Sequence, residues 1–266
     1  MFPCSLDGQD REVFKPFSLA DSASPLYSPS MIVWITGYPR SGTSWFRIIL
    51  HQALGIRSYS AHHEPKCVTG IPEVGHIDGL VPEDAWRSQT PVWVKTHSPT
   101  PADTSDPYIY LVRDGRDACI SYAHYLAHIR GEGNRFGQNV LAEVIRGYAP
   151  FGSWSHHIET WWEARPRFSW INYEDMDSPV HVITAIERAV AMAWNTYGIT
   201  LPVGTSGMTF RDVPSFEELH ERSPRQFRCG KQGQWREVFD NSKYLEDLFW
   251  DRHGKTMDKV GYWRER

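Results

Sequence analysis

Residues 37–45 (GYPRSGTSW) have the residue types and spacing of a phosphate-binding loop. Gly37 and Gly42 follow an apolar run at residues 31–36 (MIVWIT) and precede a helical pattern. Backbone amides at the start of such a helix lack partners, and the helix dipole adds partial positive charge there. The hydroxyls of Thr43 and Ser44 add donors at the same place. The segment therefore predicts a site that holds a phosphate-bearing donor.

The cation of this loop stands at an unusual position. The Walker A pattern of ATPases and kinases has a lysine after the second glycine, where Thr43 stands here. The cation is instead Arg40, next to Ser41, and its planar guanidinium suits an anion. Two glycines alone would indicate only a tight turn, but the polar residues of the same loop favour an anion site. An ordinary ATPase or kinase is therefore the weaker interpretation.

Polar residues also end three other apolar runs that have the pattern of strands. The predicted strands at residues 92–95, 108–113 and 168–173 end in KTH, in Arg113 and in YED, respectively. Ligands of open α/β sheets bind beyond the carboxyl ends of the strands. We therefore expect these polar residues to converge with the loop at one edge of a sheet.

The predicted strands alternate with helical patterns along the chain. The helical patterns cover residues 43–54, 115–130, 138–163 and 179–197. This alternation predicts an α/β fold of three layers, P-loop-like, with a central, mostly parallel sheet flanked by helices. Residues 1–30 are rich in Ser, Pro and Asp and predict an irregular N-terminal arm, whereas residues 31–266 predict one domain.

The composition of the chain excludes several classes of partner. Its 266 residues are 41% hydrophobic, which is ample for a core, and the net charge of −4 gives no field that attracts nucleic acid or an acidic membrane. The four cysteines lie far apart, so we expect reduced thiols. No apolar stretch reaches 18 residues. These features predict a soluble, cytoplasmic protein that binds neither nucleic acid nor membrane.

With this loop, the chain resembles the sulfotransferases that use 3′-phosphoadenosine 5′-phosphosulfate (PAPS), whose donor loop typically reads YPKSGTTW. Further motifs follow in the order found in that family. They are VKTHSP at residues 94–99, LVRDGRDACISY at 111–122, GSWSHHIETWWE at 152–163, INYEDM at 171–176, PSFEEL at 214–219 and FRCGKQGQW at 227–235. The resemblance extends from about residue 31 to the C-terminus.

The resemblance implies that Arg113 and Ser121 bind the 3′-phosphate of the donor. Because ATP has no 3′-phosphate, such a pocket would favour PAPS by leaving Arg113 unpaired when ATP binds. The alternative is that Arg113 pairs with Asp114 or Asp117 at the start of a solvated helix.

The resemblance also implies further contacts with the nucleotide. The rings of Trp45 and Phe216 would stack on adenine, Tyr173 would contact the nucleotide, and Arg228 with Gly230 would close on the 3′-phosphate; core packing is the alternative for the aromatic residues. Cys229 replaces the usual lysine of that last segment, and Lys231 could compensate. The donor-site prediction is Arg40, Ser41, Gly42, Thr43, Ser44, Trp45, Arg113, Ser121, Tyr173, Phe216, Arg228 and Gly230.

The predicted catalytic residues are His97, Lys95 and Arg40. In the family the histidine of KTH is the general base, and the usual histidine pKa of about 6.5 suits that task. Lys95 projects to the same side of its strand as His97, and Arg40 would stabilise the leaving phosphate in place of the usual lysine. Sulfuryl transfer demands less charge neutralisation than phosphoryl transfer, so we expect no metal ion.

The predicted reaction is transfer of a sulfuryl group to a hydroxyl or amine of a small-molecule acceptor, with 3′,5′-ADP as the product. Acceptor contacts are expected from residues 60–87, 122–137 and 200–226. A nucleotide kinase or ATPase and a non-catalytic nucleotide-binding module stay open as alternatives. The histidine pairs at residues 62–63 and 156–157 are expected to be structural, and the oligomeric state is left open.

Overall fold

The structure of the chain is a computed structural model. It describes residues 32–62, 70–79, 81, 91–100, 106–132, 137–163, 168–176, 181–182, 184–188, 191, 213–224, 226–228 and 230–264. The predicted arm at residues 1–30, Cys229 and most of the predicted helix at residues 179–197 lie outside these ranges. None of the described helices is long and apolar enough to cross a membrane.

The sheet of the described chain has five strands, and every strand pair in it is parallel. The strands are β1 (Ile32–Thr36), β2 (Ser58–Ser60), β3 (Val92–Thr96), β4 (Tyr108–Val112) and β5 (Phe168–Asn172), in the spatial order β2-β3-β1-β4-β5. The central strand β1 pairs with β3 and β4. The order therefore turns in opposite directions on the two sides of β1, which opens a crevice at its carboxyl end.

Helices cover both faces of this sheet. They are α1 (Thr43–Leu54), α2 (Gly115–Ile129), α3 (Gln138–Arg146), α4 (Trp154–Glu163), α5 (Phe216–Arg222), α6 (Trp235–Asp240) and α7 (Lys243–Lys259). Residues 181–182 and 184–188 are also helical, and Pro72–Val74 and Tyr173–Asp175 form 3₁₀ turns.

The side chains of β1 divide the core into two layers. Ile32 and Trp34 pack in a cluster with residues of α2, α3, α4 and α7. Val33 and Ile35 pack in a second cluster with residues of α1 and of the helical residues 181–182 and 184–188. This alternation is the period of a strand that is buried on both faces. The predicted three-layer α/β fold with a parallel sheet is therefore confirmed.

Two predictions about the elements were wrong. The single helical stretch at residues 138–163 is two helices, because the chain turns at Gly147, Phe151 and Gly152, which all have positive φ angles (78°, 73° and 74°). Strand β2 was not predicted at all. Its sequence is only SYS, which is too short and polar to show the pattern of a strand.

Candidate active site

The two glycines of the loop occupy positions that a side chain could not share. A Cβ atom at Gly37 would lie 2.5 Å from the carbonyl oxygen of Leu111 in β4. Gly42 has a φ of 94°, and a Cβ atom there would lie 2.5 Å from the side chains of Tyr173 and Met176. The close approach of β4 and of the turn after β5 therefore requires glycine at both positions.

The loop leads directly into α1, whose N-terminus has no side-chain cap. Gly42 is the N-cap residue and provides no side-chain cap, so the amides of the first turn are left to a ligand or to water. Thr43 and Ser44 are buried in this first turn, and the buried hydroxyl of Ser41 has no hydrogen-bond partner among the described residues. This part of the loop has the donors that an anion requires.

The guanidinium of Arg40 lies beside Ser121 of α2. Its Nε donates to Ser121 Oγ (3.2 Å), and its Nη1 and Nη2 donate to the side-chain and backbone oxygens of Gln226 (3.1 and 2.6 Å). The ring of Tyr125 lies 5.6 Å from the guanidinium carbon. Arg40 also has a positive φ of 69°, which is uncommon for a residue with a side chain. The side chain therefore points to the predicted 3′-phosphate position, and its role at the leaving phosphate stays a prediction.

Arg113 is buried and contacts only neutral groups within the described chain. Its Nη1 and Nη2 donate to the backbone oxygens of Arg40 (3.2 Å) and Lys231 (3.3 Å), and its guanidinium lies 4.3 Å from the ring centre of Tyr173. Its Nε has no hydrogen-bond partner there. The guanidinium has no hydrogen bond to a carboxylate among the described residues, although the charges of Asp117 and Glu174 act on it from nearby, and this geometry favours a bound anion.

The two acids that could neutralise Arg113 have other partners. Asp114 forms an ion pair with Arg116 (2.7 Å). Asp117 accepts the amides of Gly233 (2.6 Å) and Trp235 (3.2 Å), which joins α2 to the segment after residue 230. Burial raises the pKa of Asp117, whereas the nearby charge of Arg113 lowers it. The structure therefore does not show the helix-start pairing that was the alternative for Arg113.

Glu174 and Asp175, the two acids that follow β5, stabilise the backbone around the site through hydrogen bonds. Glu174 accepts the amide of Asp114 (3.1 Å) and the hydroxyl of Tyr262 (2.5 Å), and burial raises the pKa of its carboxyl group. The carboxylate of Asp175 accepts from the side-chain amide of Asn172 (3.2 Å). These contacts fix the turn that holds Arg113 in place.

The predicted adenine-contacting rings lie at the other end of the loop. Trp45 and Phe216 both pack on a small cluster that includes Ile48 and Phe227. Gly230 has a φ of 60°, and a Cβ atom there would lie 2.8 Å from the ring of Phe216. Arg228 donates to the side-chain oxygen of Gln234, and its Nε has no partner among the described residues.

His97 follows β3 and is held to the first residue of the loop. Its Nδ1 lies 2.7 Å from the carbonyl oxygen of Gly37. Because a carbonyl only accepts, the proton of the neutral ring is on Nδ1 and the lone pair is on Nε2. Lys95 is buried two residues earlier in β3, opposite Ile35 of β1.

Two other histidines, expected to be structural, contact the backbone of His97. The Nε2 of His62 accepts the amide of His97 (3.2 Å) and lies 3.1 Å from the hydroxyl of Thr96. The Nε2 of the buried His157 donates to the carbonyl oxygen of His97 (3.2 Å), and its Nδ1 lies 2.7 Å from the hydroxyl of Tyr110. Burial lowers the pKa of His157 to about 3, so the ring is neutral. Both histidines therefore position the segment that holds His97.

Phe151 is a further residue that the sequence did not indicate. Its ring centre lies 5.7 Å from that of His97 and 5.3 Å from that of His62. Its ring forms an aromatic wall beside His97. The only unusual feature of Phe151 is its positive φ of 73°. Much of the predicted acceptor region, at residues 63–69, 80, 82–87, 133–136, 200–212 and 225, lies outside the described chain.

Among the predicted site residues, Arg40, Ser44, Arg113 and Ser121 take part in hydrogen bonds that join the loop, α2 and the segment after α5. Gln226 completes this set, and no motif pointed to it. No group of three or more histidine, cysteine or acidic side chains that could hold a metal ion occurs within the ranges described.

A parallel sheet, a glycine loop and two arginines at its carboxyl edge define an α/β protein with a candidate anion site. The family model for the sulfotransferase domain matches residues 31–188, more than half of the chain. The chain therefore belongs to the sulfotransferase family.

Individual relatives are distant. Mouse sulfotransferase 1E1 is 28% identical over 169 residues, which cover 58% of this chain and 57% of the relative. Human sulfotransferase 1E1 is also 28% identical, over 55% of this chain and 54% of its own. The chain thus spans little more than half the length of these two relatives. Mouse sulfotransferase 1B1 is 25% identical over 80% of this chain and 78% of its own.

Solved structures share the fold. Mouse sulfotransferase SULT7A1 complexed with PAP has a TM-score of 0.51 at 18% identity, and the match covers 86% of this chain and 88% of that one. Retinol dehydratase in complex with androsterone and the inactive cofactor PAP has a TM-score of 0.53 at 18% identity, with 91% and 83% covered. At this identity the likeness shows the α/β architecture alone.

Proposed function

We propose that this chain is a PAPS-dependent sulfotransferase that transfers a sulfuryl group to a hydroxyl or amine of a small-molecule acceptor. Its family membership supports the reaction class. The observation that carries the choice of donor is Arg113, a buried guanidinium that contacts only backbone carbonyls and a ring. Ser121 lies nearby, because its hydroxyl accepts from Nε of Arg40 and the backbone oxygen of Arg40 accepts from Arg113. Arg113 and Ser121 would therefore both contact one bound anion.

The donor would lie across the carboxyl edge of the sheet. The loop and the first turn of α1 would hold the phosphosulfate, and Arg113 with Ser121 would hold the 3′-phosphate. Trp45 and Phe216 would flank the adenine, beside Tyr173, Arg228 and Gly230. A nucleotide without a 3′-phosphate would leave Arg113 buried without an anion, which supports selection against ATP.

His97 would act as the general base toward the acceptor. As the acceptor oxygen forms its bond to sulfur, its proton passes to Nε2 of His97, and the bond from sulfur to the bridging phosphate oxygen breaks. The Nδ1 contact with Gly37 supports this assignment because it places the ring lone pair on Nε2. Lys95 and Arg40 would stabilise the charge on the transferring group and on the leaving phosphate. The products are the sulfated acceptor and 3′,5′-ADP.

The test of the donor site compares 3′,5′-ADP with 5′-AMP by calorimetry. We expect 3′,5′-ADP to bind at least tenfold more tightly, since a charge-assisted hydrogen bond contributes about 1.5–3 kcal/mol. Arg113→Met should abolish this preference, whereas the same change at the exposed Arg252 should leave it intact. Equal affinities in the wild-type chain would refute the site, and magnesium-dependent ATP turnover would favour the kinase alternative.

The test of the base uses turnover with PAPS and a panel of phenols, alcohols and amines, followed by mass spectrometry. His97→Ala should abolish sulfation of a hydroxyl acceptor and keep the binding of 3′,5′-ADP. Near-normal turnover by this variant would remove His97 from the mechanism. The cytoplasmic location stays a prediction, which fractionation of the source cells would check.

A further inference from the structure

Gln226 is in contact with two parts of the phosphate-binding loop at once. Its Oε1 accepts from Nη1 of Arg40 (3.1 Å), and its backbone oxygen accepts from Nη2 (2.6 Å). Its Nε2 donates to Oγ of Ser44 in the first turn of α1 (3.0 Å). Gln226 thus joins the segment after α5 to the loop.

The contacts of Gln226 match the shape of an arginine. Two oxygens of Gln226 accept hydrogen bonds from Nη1 and Nη2 of the planar Arg40 guanidinium, and the third nitrogen, Nε, donates to Ser121 (3.2 Å). The single ammonium of a lysine at position 40 could not hold both oxygens and Ser121 in this arrangement. The orientation of the Arg40 guanidinium is therefore set from one side by Gln226 and from the other by Ser121.

The contact between Gln226 and Ser44 also orients a group of the loop. A serine hydroxyl has one proton and two lone pairs, and Gln226 occupies a lone pair. The hydroxyl proton of Ser44 can then be donated to a phosphate oxygen at the helix start. The amide of Gln226 therefore aligns a cation and a hydroxyl of the loop without being a ligand itself.

We propose that Gln226 is a positioning residue of the donor site, which holds the Arg40 guanidinium beside Ser121 so that Arg40 serves the 3′-phosphate. This inference rests on the proposed function, since it requires that Ser121 lie at the 3′-phosphate. It assigns to Arg40 a contact with the nucleotide in addition to the charge stabilisation proposed above. It also explains why arginine suits this position, because its planar fork meets both oxygens of Gln226, which the single ammonium of a lysine would not.

The experiment measures the affinities of 3′,5′-ADP and 5′-AMP by calorimetry in wild type, Gln226→Met, Arg40→Lys and the double variant. Methionine has about the volume of glutamine and removes the two hydrogen bonds of its side chain, to Arg40 and Ser44, whereas the backbone oxygen that accepts from Nη2 of Arg40 is kept. We expect Gln226→Met to weaken 3′,5′-ADP about tenfold and 5′-AMP less than about threefold. In the Arg40→Lys background the same change should weaken 3′,5′-ADP less than about threefold, because the fork that it orients is gone.

Gln232→Met provides the matched control, since Gln232 is exposed on the same segment. This variant should bind both nucleotides as the wild type does, and thermal unfolding of each variant shows that the fold is kept. The KM for PAPS should rise in Gln226→Met with little change in kcat, a split that a general loss of stability does not produce.

Three results would overturn the proposal. They are an affinity of Gln226→Met for 3′,5′-ADP within about twofold of wild type, an equal loss for both nucleotides, and an equal loss in both backgrounds at position 40. A wild-type chain with no preference for 3′,5′-ADP would instead remove the proposed donor site, and this inference with it. The two failures are therefore distinguishable in one set of titrations.

Discussion

The buried His157 should make the stability of this protein depend on pH in a way that one substitution can isolate. Burial lowers the pKa of His157 from 6.5 to about 3, and its two ring nitrogens bond to Tyr110 and to the backbone of His97. His253 is also buried, and burial lowers its pKa to about 4. Both rings are neutral in the folded protein near pH 7.

The sign of the effect follows from these pKa values. Between about pH 6.5 and pH 3 the unfolded chain binds a proton at each histidine and the folded chain does not, so acid favours unfolding. Each pH unit below 6.5 removes about 1.4 kcal/mol for each histidine. At pH 5 the loss is therefore about 2 kcal/mol from His157, and His253 contributes a similar loss.

Urea unfolding at pH 7.5 and pH 5 measures this loss. His157→Gln keeps an acceptor for Tyr110 and a donor for His97 but does not titrate, so its free energy of unfolding should fall by about 2 kcal/mol less than that of wild type. The comparison cancels the other titrating groups, including the buried acids. His156→Gln, a change at the exposed neighbour on the same helix, should keep the pH dependence of wild type.

The reasoning would be refuted if wild type and His157→Gln lost equal stability between the two pH values. An equal loss would mean that His157 accepts a proton in the folded state as readily as in the unfolded state. The hydroxyl of Tyr110 would then accept a hydrogen bond from a protonated Nδ1 instead of donating one to it.

Two glycine substitutions give further predictions. Gly37→Ala places a Cβ atom 2.5 Å from the backbone oxygen of Leu111, so the free energy of unfolding should fall by about 2 kcal/mol or more in denaturant titrations. Gly137→Ala, where nothing lies within 4 Å, should change it by less than about 0.5 kcal/mol, and a similar result at Gly37 would contradict the packing described. Gly230→Ala combines a φ of 60° with a contact of 2.8 Å to Phe216, so calorimetry should show about a tenfold weaker 3′,5′-ADP complex, and an unchanged affinity would separate this turn from the donor site.

The sequence predicted the parts of the molecule in which local pattern and tertiary structure agree. Strands β1, β3, β4 and β5 are largely apolar in sequence, and the polar residues at their ends identify the crevice. Strand β2 could not be predicted from three residues, because its pairing with β3 comes from tertiary contacts. The break at residues 147–153 was missed because the apolar period continues on both sides of it.

The residues of the candidate site also divide into those that the sequence indicated and those that it did not. The loop stands out because its glycines, Arg40 and hydroxyl residues occur together in nine residues after a strand, and Arg113 stands out because it ends another strand of the same sheet. Gln226, His62 and His157 have no such signal, because their roles arise from contacts with residues 35 or more positions away. A glutamine or a histidine of this kind is recognisable only when the chain is folded.

The contact between His97 and Gly37 makes the orientation of the proposed base resistant to mutation. The acceptor of its Nδ1 proton is a backbone oxygen, which every amino acid supplies. No exchange of a side chain can delete that acceptor, whereas an aspartate or a glutamate in the same place could be lost by a single codon change. The walls around His97 could therefore diverge to accept new substrates while the ring kept its direction.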